Sequence, residues 1–170
     1  MDRLFGPGSE LTEVRPLSQP GQFAAKEMVT LVGPKGKIEK IRVLGPIRKQ
    51  TQIEISVTDS FLLGIKPAVR LSGDLAGTPG AVIIGPAGQI EVPEGVIVAA
   101  RHLHMSEREA AVYGLHDKDV VTLASSGDRA VLFENVIVRC GSGHELEVHF
   151  DTDEANAAQL KNGSILEIVR

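Results

Sequence analysis

Two of the chain's five histidines stand one residue apart, as His102-Leu103-His104 within VIVAARHLHMSER at residues 96–108. On an extended strand alternate side chains share a face, so His102 and His104 point together while Leu103 points away. Paired neutral imidazoles on a rigid strand end, with Arg101 beside them, suit a borderline-soft ion such as zinc. The competing reading of a His-x-His pair is a solvated strand face that holds nothing. Ser106 and Glu109 have the spacing of a capping box, which predicts that the strand stops just after His104 and a helix begins.

A third imidazole comes from ELEVHFD at residues 145–151, where Leu146, Val148 and Phe150 take one face and Glu145, Glu147, His149 and Asp151 the other. Asp151 and Glu154 form a second cap-like pair, ahead of a helical stretch running towards Asn162-Gly163. If the two strand ends meet, His149 joins His102 and His104. Three imidazoles leave a tetrahedral ion one open position, the arrangement of a reactive site. His116, in GLHDKD, and His144, in GSGHEL, read as exposed loop residues. A cupin site also begins with His-x-His and a later glutamate. Glu109, however, falls inside the expected helix, and no second cupin motif fits around His149.

A second constellation occupies residues 41–56, IRVLGPIRKQTQIEIS. Arg42, Arg48 and Lys49 cluster about a Gly-Pro turn, and a guanidinium fork matches phosphate oxygens. The alternative is a solvated basic loop. Glu54, between Ile53 and Ile55, projects from the opposite face as either a metal carboxylate or an outward charge.

The elements that must position these groups are mostly strands. Residues 1–27, with Pro7, Pro16 and Pro20, read as irregular, with one helical turn at 23–27. Residues 28–32 and 37–44 form a hairpin about Gly33-Pro34-Lys35-Gly36. The design recurs at 81–84 and 89–92, continuing into 95–99, and again at 120–123 and 130–138. Residues 52–57 alternate as a short strand, followed by a helical turn at 58–64. Three strand-turn-strand units at irregular spacing suggest small barrels rather than a solenoid.

Composition bounds the chemistry. Aromatics make up 4% and tryptophan is absent, so base-stacking platforms are excluded, and a net charge of −4 argues against nucleic-acid binding while leaving small anions open. Cys140 is the only cysteine, which excludes an intrachain disulfide and fits a reducing compartment. No apolar run is long enough for a membrane span, and MDRLFGPGSE lacks the order of a signal peptide, so a cytoplasmic location is expected.

Six stretches, LSQPGQFAA (17–25), VTLVGPKG (29–36), RVLGPIRKQTQIEIS (42–56), SGDLAGTPG (72–80), RHLHMSEREA (101–110) and HFDTDEANAAQLKNG (149–163), make the chain similar, in order and along its whole length, to the PduL-type phosphotransacylases, or phosphate propanoyltransferases. The resemblance implies a mainly β fold of two small β-barrels with short capping helices, divided as an N-terminal segment (1–26), a central barrel (27–102) and a C-terminal barrel (103–170). It implies transfer of an acyl group, acetyl or propanoyl, between coenzyme A and inorganic phosphate, with acyl phosphate as the other partner and two zinc ions at the site. His102, His104 and His149 would bind one ion and Glu54 contribute to the other. Arg48 would meet phosphate, and Arg42 and Asn156 would approach coenzyme A. A homo-oligomer is implied, either free in the cytoplasm or inside a bacterial microcompartment of propanediol degradation.

One departure is expected to matter. Family members carry an N-terminal strand and an Arg-His-Val-His motif ahead of the segment that here begins at Met1. The expectation is therefore a C-terminal barrel lacking that strand and a second metal lacking two ligands. The outcome would be a shortened, weakly active enzyme, a one-metal enzyme, or a metal-binding scaffold completed by a partner.

Overall fold

A computed structural model describes residues 1–169. The chain is mainly β with short helices, and it divides into two compact units, Met1–Val98 and a second beginning at Ala99.

The first unit opens with α1 (Asp2–Phe5) and β1 (Glu13–Pro16), then a long strand, β2 (Phe23–Val32), and β3 (Lys37–Gly45). After these come β4 (Ile53–Glu54), α2 (Val57–Leu63), β5 (Ala68–Arg70), β6 (Ala81–Gly85), β7 (Gly88–Val92) and β8 (Val96–Ala99). On one side, β2 pairs with β1 through Phe23 to Ala25 and with β6 through Thr30 to Val32; β3 lies along the other side. A separate three-stranded sheet runs β4-β8-β5.

The opening residues are thus more regular than their prolines suggest. No helical turn forms at 23–27; those residues begin β2, because tertiary pairing on both sides satisfies the backbone that a local pattern left unassigned. The short strand expected over 52–57 shrinks to Ile53–Glu54. Ser56 instead caps α2: the Asp59 N–H donates to Ser56 Oγ (3.1 Å) and the Ser56 N–H to Asp59 Oδ2 (3.2 Å).

The second unit comprises β9 (His102–Met105), α3 (Glu107–Tyr113), β10 (Val120–Ala124), β11 (Leu132–Cys140), β12 (Glu147–His149), α4 (Thr152–Ala157) and β13 (Glu167–Val169). Its strands form a curled half-barrel sheet in the order β12-β9-β11-β10-β13, with β12 and β13 at its margins among the described residues. The apolar run into His102 is not one strand. Ala100 and Arg101 interrupt it, β8 pairs in the first unit, and β9 lies parallel to β11 in the second.

The two-residue period then decides what each face of β9 does. Leu103 and Met105 enter a core with Val121, Leu123, Phe133, Val136 and Val138. Met105, Val136 and Val138 are fully buried, each burial contributing about 1.5–3 kcal/mol. His102 and His104 are left on the other face. Both of these histidine-bearing strands, β9 and β12, are stopped by the predicted boxes. The Glu109 N–H donates to Ser106 Oγ (3.3 Å) with Glu109 Oε2 reaching back to the Ser106 N–H (2.8 Å), and the Glu154 N–H donates to Asp151 Oδ1 (2.8 Å). Gly114, in the left-handed region at φ 65°, ends α3.

Candidate metal centre

In the antiparallel pairing of β12 with β9, His149 lies opposite His102 and Glu147 opposite His104. On the other flank of β9, Arg139 of β11 stands in register with His104. One sheet face therefore carries His102, His104, His149, Glu147 and Arg139, while the intervening Leu103, Val148 and Val138 belong to or pack against the core.

The three rings meet edge to face, with centroids 4.8 Å (His102–His104), 4.9 Å (His102–His149) and 4.8 Å (His104–His149) apart. One nitrogen from each lies within 4.8 Å of the others, the only group of three or more His, Cys, Asp or Glu side chains so placed among the described residues. One nitrogen of each ring makes a further contact. His102 Nδ1 lies 2.7 Å from the Ala100 carbonyl, His104 Nδ1 2.9 Å from His144 Nδ1, and His149 Nε2 2.6 Å from Glu147 Oε2.

Burial, with the neighbouring imidazoles and the Arg139 charge adding to it, pushes His102 down to about 4 and His104 to about 3. Neutral imidazole is the form that ligates metal, so near pH 7 both rings are ready to accept an ion. The donor set fits zinc-type coordination: three imidazoles from strands, each with one ring nitrogen held by a neighbour.

His144 departs from its sequence reading as an exposed loop residue. Its half-buried ring lies over His104, centroids 4.4 Å apart, and burial lowers its pKa as well. The loop is brought there by the Gly141 N–H donating to the Met105 carbonyl (3.1 Å) and the His144 N–H donating to the Gly141 carbonyl (3.2 Å). No local pattern reports that contact across 40 residues.

Arg101 serves the scaffold. Its Nε donates to Glu154 Oε1 (2.5 Å) and its Nη1 to the Glu134 carbonyl (2.6 Å), and its guanidinium lies over the Phe133 ring at 5.6 Å. It thereby ties the approach to β9 to the cap of α4. Glu109 is consumed by its cap, where the Ser106 hydrogen bonds hold its carboxyl below the usual range, which removes the glutamate that a cupin site would need. Cys140 carries a thiol raised by burial, which does not favour the thiolate of a nucleophile. Asn156 is exposed on α4.

In the first unit, Arg48 and Glu54 are joined through two residues that the sequence did not single out. Arg48 Nη1 donates to Ser72 Oγ (3.0 Å), Gln52 Nε2 lies 2.9 Å from the same hydroxyl, and that amide also donates to Glu54 Oε1 (2.5 Å). The Gly73 N–H donates to Gln52 Oε1 (2.8 Å), fixing the loop. Ile53 and Ile55 are buried and Glu54 is exposed, as alternation requires. Arg42 stands apart from this network on β3, with Nη1 donating to the Ala25 carbonyl (2.5 Å).

A mainly β protein with three imidazoles converging on one sheet face carries a group that could hold a metal ion. The comparison with known sequences narrows this: the phosphate propanoyltransferase family model matches residues 1–161, and the chain belongs to that family of phosphate acyltransferases. Among its relatives, the phosphate propanoyltransferase of Thermotoga maritima is 57% identical over 170 residues, covering 99% of this chain and 81% of the relative. Those of Rhodopseudomonas palustris and Salmonella typhimurium are each 49% identical, covering 100% and 95% of this chain and 75% and 77% of their own lengths.

Proposed function

We propose that this chain is a metal-dependent phosphate acyltransferase that interconverts an acyl-coenzyme A (acetyl or propanoyl) and phosphate with an acyl phosphate and coenzyme A. The observation that carries the metal dependence is the convergence of His102, His104 and His149 on one sheet face, the first two held neutral by burial. The activity itself rests on membership of the family.

These three residues would hold the ion, zinc by ligand type, and such an ion lowers the pKa of a bound thiol so that thiolate exists near neutral pH. The chain's own groups do the rest. Arg48, oriented by Ser72, presents a guanidinium to the phosphate oxygens and neutralises charge as phosphate departs from or attacks the acyl carbon. Glu54, held by Gln52, is assigned to a second ion, and Arg42 and Asn156 to the polar parts of coenzyme A, as the family resemblance implies. Direct transfer of the acyl group from phosphate oxygen to thiolate sulfur requires no acyl-enzyme, and Cys140, with its raised pKa, does not offer one.

Metal analysis combined with the His104→Ala and Arg48→Ala variants tests the proposal. His104→Ala is expected to lose the ion and the activity together. Arg48→Ala should retain the ion and lose about 10²–10³-fold in kcat/KM. Full acyl transfer by either variant removes that residue from the mechanism.

A further inference from the structure

The hydrogen bonds made by the three imidazoles differ in kind, and together they prescribe which nitrogen each ring can offer. A backbone carbonyl only accepts, so the 2.7 Å contact to Ala100 requires a proton on His102 Nδ1 and leaves Nε2 bare. A carboxylate likewise only accepts, so the 2.6 Å contact to Glu147 requires a proton on His149 Nε2, and a neutral ring so held offers Nδ1. The contact between His104 and His144 joins two Nδ1 atoms at 2.9 Å, and only one of them can carry the proton. If His104 donates and His144 accepts, His104 Nε2 is left bare.

We infer that His144 and Glu147 are positioning residues for the metal centre: His144 accepts from His104 Nδ1–H and Glu147 from His149 Nε2–H, so that the ion is offered two Nε2 atoms and one Nδ1. The assignment rests on the metal-binding reading of His102, His104 and His149. His144 suits the task because its loop is pinned to the end of β9 by the Gly141–Met105 hydrogen bond, so its ring tracks the strand that carries His104. Glu147 suits it because it shares β12 with His149, two residues away on the same face. Groups that hold the second nitrogen of a ligating histidine fix its tautomer and ring angle, and their removal typically weakens metal affinity about 10–100-fold.

The experiment uses the full chain, freed of metal by chelation and titrated with zinc against a chromophoric chelator. Wild type should bind tightly and His104→Ala should lose at least about 10³-fold; equal affinity of these two would refute the metal-binding reading itself. With that control in place, His144→Ala and Glu147→Ala are each expected to weaken binding about 10–100-fold. His144→Gln and Glu147→Gln, which keep an accepting oxygen, should recover most of it. Unchanged affinity in both alanine variants overturns the inference. Long-range proton–nitrogen correlation of the metal-free chain labelled at histidine supplies a readout that a merely structural role would not move. Protonated Nδ1 on His102 and His104 and protonated Nε2 on His149 support the assignment, and the opposite tautomer on His104 or His149 overturns it. Cobalt-substituted His144→Ala should keep the visible band intensity of the wild type. A change marking a lost ligand would place His144 in direct contact with the ion and overturn its role as a positioning residue.

Discussion

Two polar groupings, one in each unit, are built in opposite ways. The imidazole face of the second unit stands on strands: His102 and His104 are 6% and 4% exposed, and Leu103 between them is fastened into the core. The Arg48–Ser72–Gln52–Glu54 chain of the first unit runs across loops and a two-residue strand, with both of its charged ends exposed. Exposed hydrogen-bonded charges contribute little to stability, generally under about 1 kcal/mol, and can rearrange around a ligand. Buried rings backed by a packed strand cannot do so without disturbing the core. The exposed loop network suits a mobile anion such as phosphate, the strand-borne rings a fixed centre.

The most damaging way to break this contrast is to leave the imidazoles alone and cut away their support. Leu103→Ala is expected to destabilise the second unit by about 2–5 kcal/mol, read by chemical denaturation, and to weaken zinc binding with no ligand removed. An unchanged zinc affinity would mean that the rings are aligned without the core.

A smaller effect should appear with pH in the metal-free chain. The pKa values of His102 and His104 lie near 4 and 3 in the folded protein and near 6.5 unfolded, so above pH 6.5 both states hold neutral rings and the contribution is complete. As pH falls below 6.5 the unfolded chain takes up protons that the folded one refuses. Stability should therefore decline between pH 6.5 and 4, by on the order of 3 kcal/mol for each ring. Urea midpoints measured across that range, with the His102→Asn/His104→Asn double variant as reference, check it; parallel profiles would show that these rings protonate freely when folded.

The smallest effect belongs to the loop network. Ser72→Ala should shift stability by less than about 1 kcal/mol while raising the KM for phosphate several-fold, because Arg48 loses the group that orients it. A large loss of stability with phosphate KM untouched would mean that the network is part of the scaffold.

What the sequence made legible follows from which interactions are local. The alternation of residues 102–105 and the boxes at Ser106–Glu109 and Asp151–Glu154 involve neighbours three residues apart or fewer, and each was readable. β2 was half missed because Phe23 to Ala25 owe their extended form to partners on β1 and β3, and consecutive buried Ala24 and Ala25 carry no period. His144 was missed because its approach to His104 depends on a loop fastened across the sheet, and Gln52 and Ser72 because 20 residues separate the two. The break between β8 and β9 was hidden by an apolar run that reads as continuous, although its halves serve different sheets.

The third ring sits on a marginal strand of its sheet, only three residues long. Outermost strands fray first, since they are hydrogen-bonded along one side alone. A guest gripped by two fingers of an inner strand and one of the rim can therefore come and go when the rim peels back, while the body of the sheet stays folded. Loading and unloading would then follow the breathing of three residues, on a clock much faster than that of global unfolding.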